Sequence, residues 1–450
     1  MYSHLSFSQR DEFSRKPIAD KLIHLLTSDI ELSPIIINGD WGTGKTEFCH
    51  KVIHEIKENH DNLKCVYIDA FNADSSDEPI LTLIAAIISL FPEQEDKKSI
   101  IKKAIPVLKY ASKVLLNAGT TIILKESVDN LGEELSEALK DQTTTAIDTS
   151  IDNLLNIHEK SNENILALRG ILESLSNEHP IIIFIDELDR CRPNYALKMI
   201  ESIKHIFSMN NVKFVMISNL KQLESSINKV YGNSINSNKY LDKFIGFKVD
   251  LSEYHNNYSF GQVYNSEEYF SLLIKNDDNL KNLCENGYFN FISFLIKKYK
   301  LSLRDIEKLV KNLQVYQKLD GQPIENSIFL FSIYKIIGVF IYSFDINFKE
   351  KIINNNYNCE NVLDFFGFQI IDNEKVTKDE KDYVAEIILI NLLQPAKNFS
   401  IFEKKHPILI KNLIDKWNSN KQIFLRGYYS YDDDNNIIIV KKAIHTLMLF

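Results

Sequence analysis

Residues 34–52 read PIIINGDWGTGKTEFCHKV, a hydrophobic strand, a glycine-rich turn and the start of a helix in succession. The turn fills the spacing G-x-x-x-x-G-K-[ST] with Gly39, Gly44, Lys45 and Thr46, and Gly42 adds one more residue without a Cβ. Such a turn is a phosphate cradle. Its successive backbone N–H groups form a concave nest for a β-phosphate, and the following helix presents its positive end to the same charge. Gly39, Asp40, Trp41, Gly42, Thr43, Gly44, Lys45, Thr46 and Glu47 are therefore the expected nucleotide-binding residues. Lys45 would bridge the β- and γ-phosphate oxygens, and the Thr46 hydroxyl is a hard ligand suited to the Mg²⁺ that accompanies a nucleoside triphosphate.

Residues 180–193, PIIIFIDELDRCRP, supply the second landmark. Ile181 to Ile185 form a continuous apolar run of the kind found in a parallel strand buried on both faces, and the run ends in Asp186 and Glu187. Asp186 is expected to hold Mg²⁺, usually through water. Glu187, one residue past the strand end, can polarise the water that attacks a γ-phosphate. Two acids after an apolar run also occur in plain solvated loops, and it is the upstream cradle that favours the catalytic reading.

The expected strands run over residues 35–38, 64–69, 181–186, 213–218 and 247–251. In chain order the acidic strand comes third, as in the branch of P-loop proteins that inserts a strand between the cradle strand and the acidic strand and carries a dedicated glutamate. The fold class is thus α/β, a P-loop NTPase core of the additional-strand, catalytic-glutamate type, with a central parallel sheet in the order 5-1-4-3-2. The fourth strand ends in Ser218 and Asn219. Asn219 would reach the γ-phosphate or the attacking water, or would simply turn the chain as asparagine does at many strand ends.

Several stretches together resemble the KAP P-loop NTPases: RDEFSRKPIADKLIHLL from Arg10, GDWGTGKT with Trp41, and YIDAFNADSSDEPILTLIAAI from Tyr67. With them go FIDELDRCRPNYALKMIESIKHIF from Phe184, KFVMISNLKQLESSI from Lys213, KYLDKFIGF from Lys239 and LSLRDIEKLVKNL from Leu301. The resemblance spans about residues 10–315. It implies an ATPase with Mg²⁺, of the signalling and switching type, whose bacterial relatives are often tied to sensing or excluding phages. It also implies that Arg304 is a lid arginine closing over the nucleotide and that Arg15 lies toward the adenine. Many members carry a pair of membrane helices between cradle and acidic strand, not evident here, and hold Asp more often than Asn at the position of Asn219. ATP rather than GTP follows from the resemblance, since LDKF at Leu241 supplies no N-K-x-D guanine reader.

Arginine is scarce: Arg10, Arg15, Arg169, Arg190, Arg192, Arg304 and Arg426 are all there are. A guanidinium commonly completes phosphoryl transfer, often lent by a neighbouring subunit. Arg190, which could pair with Asp189, and Arg192 are candidates for that finger, with a structural salt bridge as the alternative for each. For Arg304 the alternative is a surface pair with Asp305 or a nearby Glu.

A chain of 450 residues is too long for one compact core. Residues 1–32 are expected to form a leader with a helix near 18–27, 33–252 the core with a helical insertion at about 96–164, and 253–450 an α-helical lid and C-terminal domain. The net charge of −9, with signs mixed along the chain, offers nucleic acid no general attraction, though nucleic acid stays possible as a trigger. Five widely spaced cysteines show neither metal-ligand nor disulfide spacing and suit a reducing, cytoplasmic setting. The N-terminus lacks a secretory core. Residues 105–124 and 328–344 are interrupted by lysines, so buried or amphipathic helices are expected there rather than membrane spans.

The C-terminal half shows no nuclease, hydrolase or metal spacing. Tyr428, Tyr429 and Tyr431 beside Asp432, Asp433 and Asp434 read as a surface turn. An effector would then be a second protein encoded nearby, or assembly into a homo-oligomer. The reading that follows is an ATP-driven switch, the regulatory or sensor ATPase of a bacterial antiphage defence or signalling module. Its alternatives are a nucleotide-gated scaffold with negligible turnover and a nucleic-acid motor or loader.

Overall fold

The computed structural model of the chain describes residues 5–76, 79–90, 169–170, 173, 176–177, 179–206, 209, 211–257, 261–326, 328–371, 375–377, 382–425 and 436–449. The expected insertion at 96–164, the membrane test at 105–124 and the tyrosine and aspartate turn at 428–434 lie outside these residues. The chain divides into two compact units, Met1–Ser252 and Glu253–Phe450.

The first unit is built on a parallel sheet of β1 (Ile35–Asn38), β2 (Lys64–Asp69), β3 (Ile181–Asp186), β4 (Val212–Ser218) and β5 (Phe247–Asp250), in the order β2-β3-β4-β1-β5. All its pairings are parallel, with Asn38 beside both Ser218 and Asp250, and Asp69 beside Asp186. β3 is buried at every position, which is why it reads as an unbroken apolar run rather than an alternating one.

Alternation along each strand feeds two cores. Ile35, Ile37, Ile182, Phe184, Val215 and Ile217 face α1 (Lys16–Leu26) and α2 (Lys45–Asn59). Ile36, Ile181, Ile183, Ile185, Phe214 and Met216 face the other way, toward α4 (Pro79–Ser89), α5 (Pro193–Ile206) and α6 (Leu220–Tyr231), with the short α3 (Ala70–Ala73) following β2 directly. Helix α1 begins two residues earlier than its apolar pattern suggests. Pro17 stands in its first turn, where a missing N–H costs nothing, so the helix can start at Lys16 with Arg15 as its cap residue.

The second unit is mainly helical around one large core. It also holds two small antiparallel hairpins that hydrophobic patterning had not marked, Tyr254–Asn257 with Gly261–Tyr264 and Gln369–Ile371 with Lys375–Thr377. The apolar segment at 328–344 forms the helix Phe329–Phe344, largely buried among aromatic neighbours. No helix among the described residues is long and apolar enough to cross a membrane. Gly338 in this helix lets the helix Asn436–Leu447 approach closely, because a Cβ there would stand 2.6 Å from the Ala443 Cβ.

Candidate functional site

Three adjacent strands, β3, β4 and β1, end side by side, and the ends of parallel strands are where such folds bind ligands. The end of β1 opens into the turn Gly39–Gly44, whose close packing depends on glycine. A Cβ on Gly39 would lie 2.8 Å from the Thr43 Oγ1. Gly44, at φ 80°, is the left-handed residue from which α2 starts. The Thr43 hydroxyl donates to the Asp40 carbonyl at 2.9 Å. Lys45 Nζ lies across the turn and donates to the carbonyls of Gly39 at 2.7 Å and Asp40 at 3.0 Å. Burial pushes the Lys45 ammonium below its ordinary pKa, against the pull of Asp189, Asp186, Glu187 and Asp40.

Asp186 ends β3 almost fully buried. Its carboxylate accepts from the Glu187 N–H at 2.7 Å and from the Tyr67 hydroxyl at 3.1 Å, with the Thr46 hydroxyl as a further nearby donor. Burial raises its pKa, and these three donors and Lys45 oppose the rise. Glu187 follows at φ 62°, ψ 22°, a left-handed backbone that turns the chain out of the strand into the 3-10 turn Leu188–Arg190. Burial also raises the Glu187 carboxyl, with Arg190 opposing and Asp186, Asp189 and Asp69 adding to the rise. Non-glycine residues in this region are strained and concentrate at functional sites.

Asn219 closes the third side. Its Oδ1 accepts from Lys221 N at 3.1 Å, capping α6, and its Nδ2 donates to the Asp40 carboxylate at 3.1 Å. The asparagine thus both turns the chain and ties the end of β4 to the cradle. Two residues not counted among the expected site residues bind the same parts together. Asp189 accepts from Trp41 Nε1 at 2.6 Å and from the Ser218 hydroxyl at 3.1 Å, and Asn38 accepts from Leu220 N at 3.0 Å. No sequence signal short of the fold pairs Trp41 with Asp189.

The arginines separate clearly. Arg190 ion-pairs through Nε with Glu187, not with Asp189 as its position beside that residue suggested. Arg192 grips Asp74 through its backbone N–H at 3.1 Å and its Nε at 3.2 Å. Arg15 is buried, its guanidinium 5.0 Å from the Phe13 ring centre and 3.5 Å from the Ser252 carbonyl. Burial pushes its pKa down to about 10 despite Glu47, Glu12 and Asp11 nearby. The cavity it lines with Gly44 and Glu47 holds only about 20 Å³. That is room for about one water.

The Glu47 side chain faces the leader. It meets Arg10 at 2.6 Å and Lys51 at 2.8 Å, and although burial acts to raise it, these cations hold its pKa below the usual glutamate value. In the second unit, Arg304 is exposed in the first turn of the helix Leu303–Asp320. Asp305 is occupied instead by the cap residue Ser302, and no ion pair of Arg304 occurs among the described residues. A cavity of about 600 Å³ lies at the opposite, N-terminal edge of the sheet, beside Pro34, Leu63, Pro180 and Val212. It shares no residue with the cradle, and its Lys213 ammonium donates to the Ile30 carbonyl.

The donor set suits a nucleotide with Mg²⁺: a nest of N–H groups, a lysine, a hydroxyl and one carboxylate on one edge of the sheet. No group of three or more His, Cys, Asp or Glu disposed to hold a metal exists among the described residues. Mg²⁺ brought by phosphates needs only one or two protein oxygens. The thiols are set aside from this chemistry, since all five cysteines are free and burial raises Cys49, Cys65 and Cys191.

The family model described as the KAP family P-loop domain matches residues 15–319. No curated protein matches the chain. Among solved structures it is similar to the ORC2 protein of Aeropyrum pernix in its ADPNP and ADP complexes, at 14% identity and a TM-score of 0.32, covering 97% of this chain and 95% of that one. A likeness that loose carries no argument about substrate, partner or detail of fold.

Proposed function

The chain belongs to the KAP family of P-loop NTPases, and from that premise we propose that it binds ATP with Mg²⁺ and hydrolyses it to drive a conformational or oligomeric switch. The observation that carries this reading is that Lys45 and Thr46, after the end of β1, stand with Asp186 and Glu187, at the end of β3, on the same edge of the sheet, with β4 between the two strands. The placement of β4 between β1 and β3 supports the additional-strand, catalytic-glutamate type.

In this reading the nest and Lys45 hold the β- and γ-phosphates, and Thr46 and Asp186 hold Mg²⁺, which when bound offsets phosphate charge. Glu187 accepts a proton from water as the water oxygen bonds to the γ-phosphorus. The bond from that phosphorus to the β,γ-bridging oxygen breaks, and the electron pair leaves with ADP. Asn219 orients the γ-phosphate or the water. The family resemblance supports a regulatory or sensor role in a bacterial antiphage or signalling module, acting through a homo-oligomer or an effector protein.

Phosphate release and light scattering on the same samples test the proposal. Wild type should release phosphate from ATP with Mg²⁺, Lys45→Ala should lose nucleotide binding, and Glu187→Gln should bind without turnover. A mass change that requires ATP and persists in Glu187→Gln supports an assembly switch. Wild-type turnover in Glu187→Gln would remove Glu187 from its role.

A further inference from the structure

Arg190 sits where a hydrolase could least tolerate a cation without consequence. Its Nε pairs with Glu187 Oε2 across one 3-10 turn, and the Arg190 N–H donates to the Glu187 carbonyl at 3.1 Å. The Cys191 thiol lies 3.6 Å from the same carbonyl. In a 3-10 turn residues three apart stand in line, so the pairing is built into the spacing of Glu187 and Arg190. The left-handed backbone at Glu187 fixes where that turn begins.

A carboxylate oxygen committed to a guanidinium offers that lone pair to the cation and not to a water. If Arg190 were a finger for the γ-phosphate, removing it would slow hydrolysis by orders of magnitude. If it restrains the carboxylate, removing it would speed hydrolysis. The signs are opposite, and the geometry favours the second, because Arg190 is already spent on Glu187.

We propose that Arg190 is a positioning residue that holds Glu187 away from the attacking water, so that basal turnover waits on the opening of this pair. The inference rests on Glu187 being the water-activating base. Opening the pair is the step a partner subunit or effector would drive, by offering Arg190 another carboxylate. The two side chains are 36% and 20% exposed, so solvent screens the pair and its hold is modest. It corresponds to roughly a two- to five-fold change in the population of free Glu187.

The test is steady-state phosphate release by the full chain with ATP and Mg²⁺. Arg190→Ala and Arg190→Gln should each raise kcat roughly two- to five-fold with KM within a factor of two. Arg190→Lys, which can remake the pair, should pull the rate back toward wild type. Added salt should raise wild-type kcat more than that of Arg190→Gln, since only the former has a pair to screen. The double variant Glu187→Gln with Arg190→Gln should be as slow as Glu187→Gln alone. A fall in kcat with both Arg190→Ala and Arg190→Gln, or no change in either, overturns the proposal. If Glu187→Gln itself turns over like wild type, the assignment of the base has failed, which is a separate result.

Discussion

The left-handed backbone at Glu187 should be measurable as stored instability. Only the glutamate side chain is asked to do chemistry there, while any Cβ at φ 62°, ψ 22° crowds its own carbonyl. Such a conformation costs a non-glycine residue about 1–3 kcal/mol. Glycine removes that cost but forfeits about 0.5–1 kcal/mol through its greater freedom in the unfolded chain. Comparing Glu187→Gly with Glu187→Ala isolates the backbone, since both lack the carboxylate and both release Arg190. The glycine variant should be the more stable by about 1 kcal/mol. For a unit spanning residues 1–252 that is about 2–4 °C in Tm. The chain has two tryptophans, Trp41 in the first unit and Trp417 in the second. A Trp417→Phe background lets Trp41 emission follow the first unit alone during heating. Both variants should be inactive in phosphate release. A glycine variant no more stable than the alanine variant would mean that solution holds Glu187 in an ordinary backbone, and the strain argument would fall.

Three further outcomes are expected. Asp189→Ala frees both Trp41 and Ser218 and should weaken nucleotide affinity about tenfold, about 1.4 kcal/mol, read by anisotropy of a fluorescent ATP analogue; unchanged affinity would show that this bridge does not shape the cradle. Asn219→Ala removes the cap of α6 and should lower stability by about 1 kcal/mol in thermal unfolding, while Asn219→Asp should keep the cap but set a second carboxylate against Asp40 and weaken nucleotide binding. Gly338→Ala should destabilise the second unit by about 2 kcal/mol, seen in the Trp417 signal, because the added methyl meets Ala443 Cβ and the Val440 carbonyl.

The sheet and the cradle were legible because their signals are local. A buried parallel strand must be apolar throughout, and a phosphate nest must have glycine where backbone crowds or turns left-handed, so Ile181–Asp186 and Gly39–Thr46 announce themselves within a few residues. Partner choice was not legible, because it depends on which strand ends stand together. Trp41 with Asp189, Tyr67 with Asp186 and Arg192 with Asp74 are separated by more than a hundred residues in the chain. Arg190 is the instructive case. Adjacency pointed it at Asp189, whereas the 3-10 turn aligns it with the residue three back, so the Glu-x-x-Arg spacing was the signal and the turn type was what gave it meaning. The asparagine at 219, unusual against the family's more frequent aspartate, also acquires a reason: its amide donates to the Asp40 carboxylate, and an ionised aspartate has no hydrogen to give.

These pairings divide the work of the site in two. Lys45 donates to two neutral carbonyls, and phosphate oxygens would replace them with charged acceptors, an exchange that strengthens its hydrogen bonds. Thr46 and Asp186 lie near each other, so a cation carried by the phosphates finds two hard oxygens at hand. Binding therefore asks the protein only for exchanges that improve its contacts. Glu187 is different, since in the proposal above its bond to Arg190 is given up before it takes a proton from water. Binding and turnover should therefore separate under mutation. Lys45→Ala should cost affinity first, whereas substitutions at Arg190 should move kcat and leave affinity nearly alone.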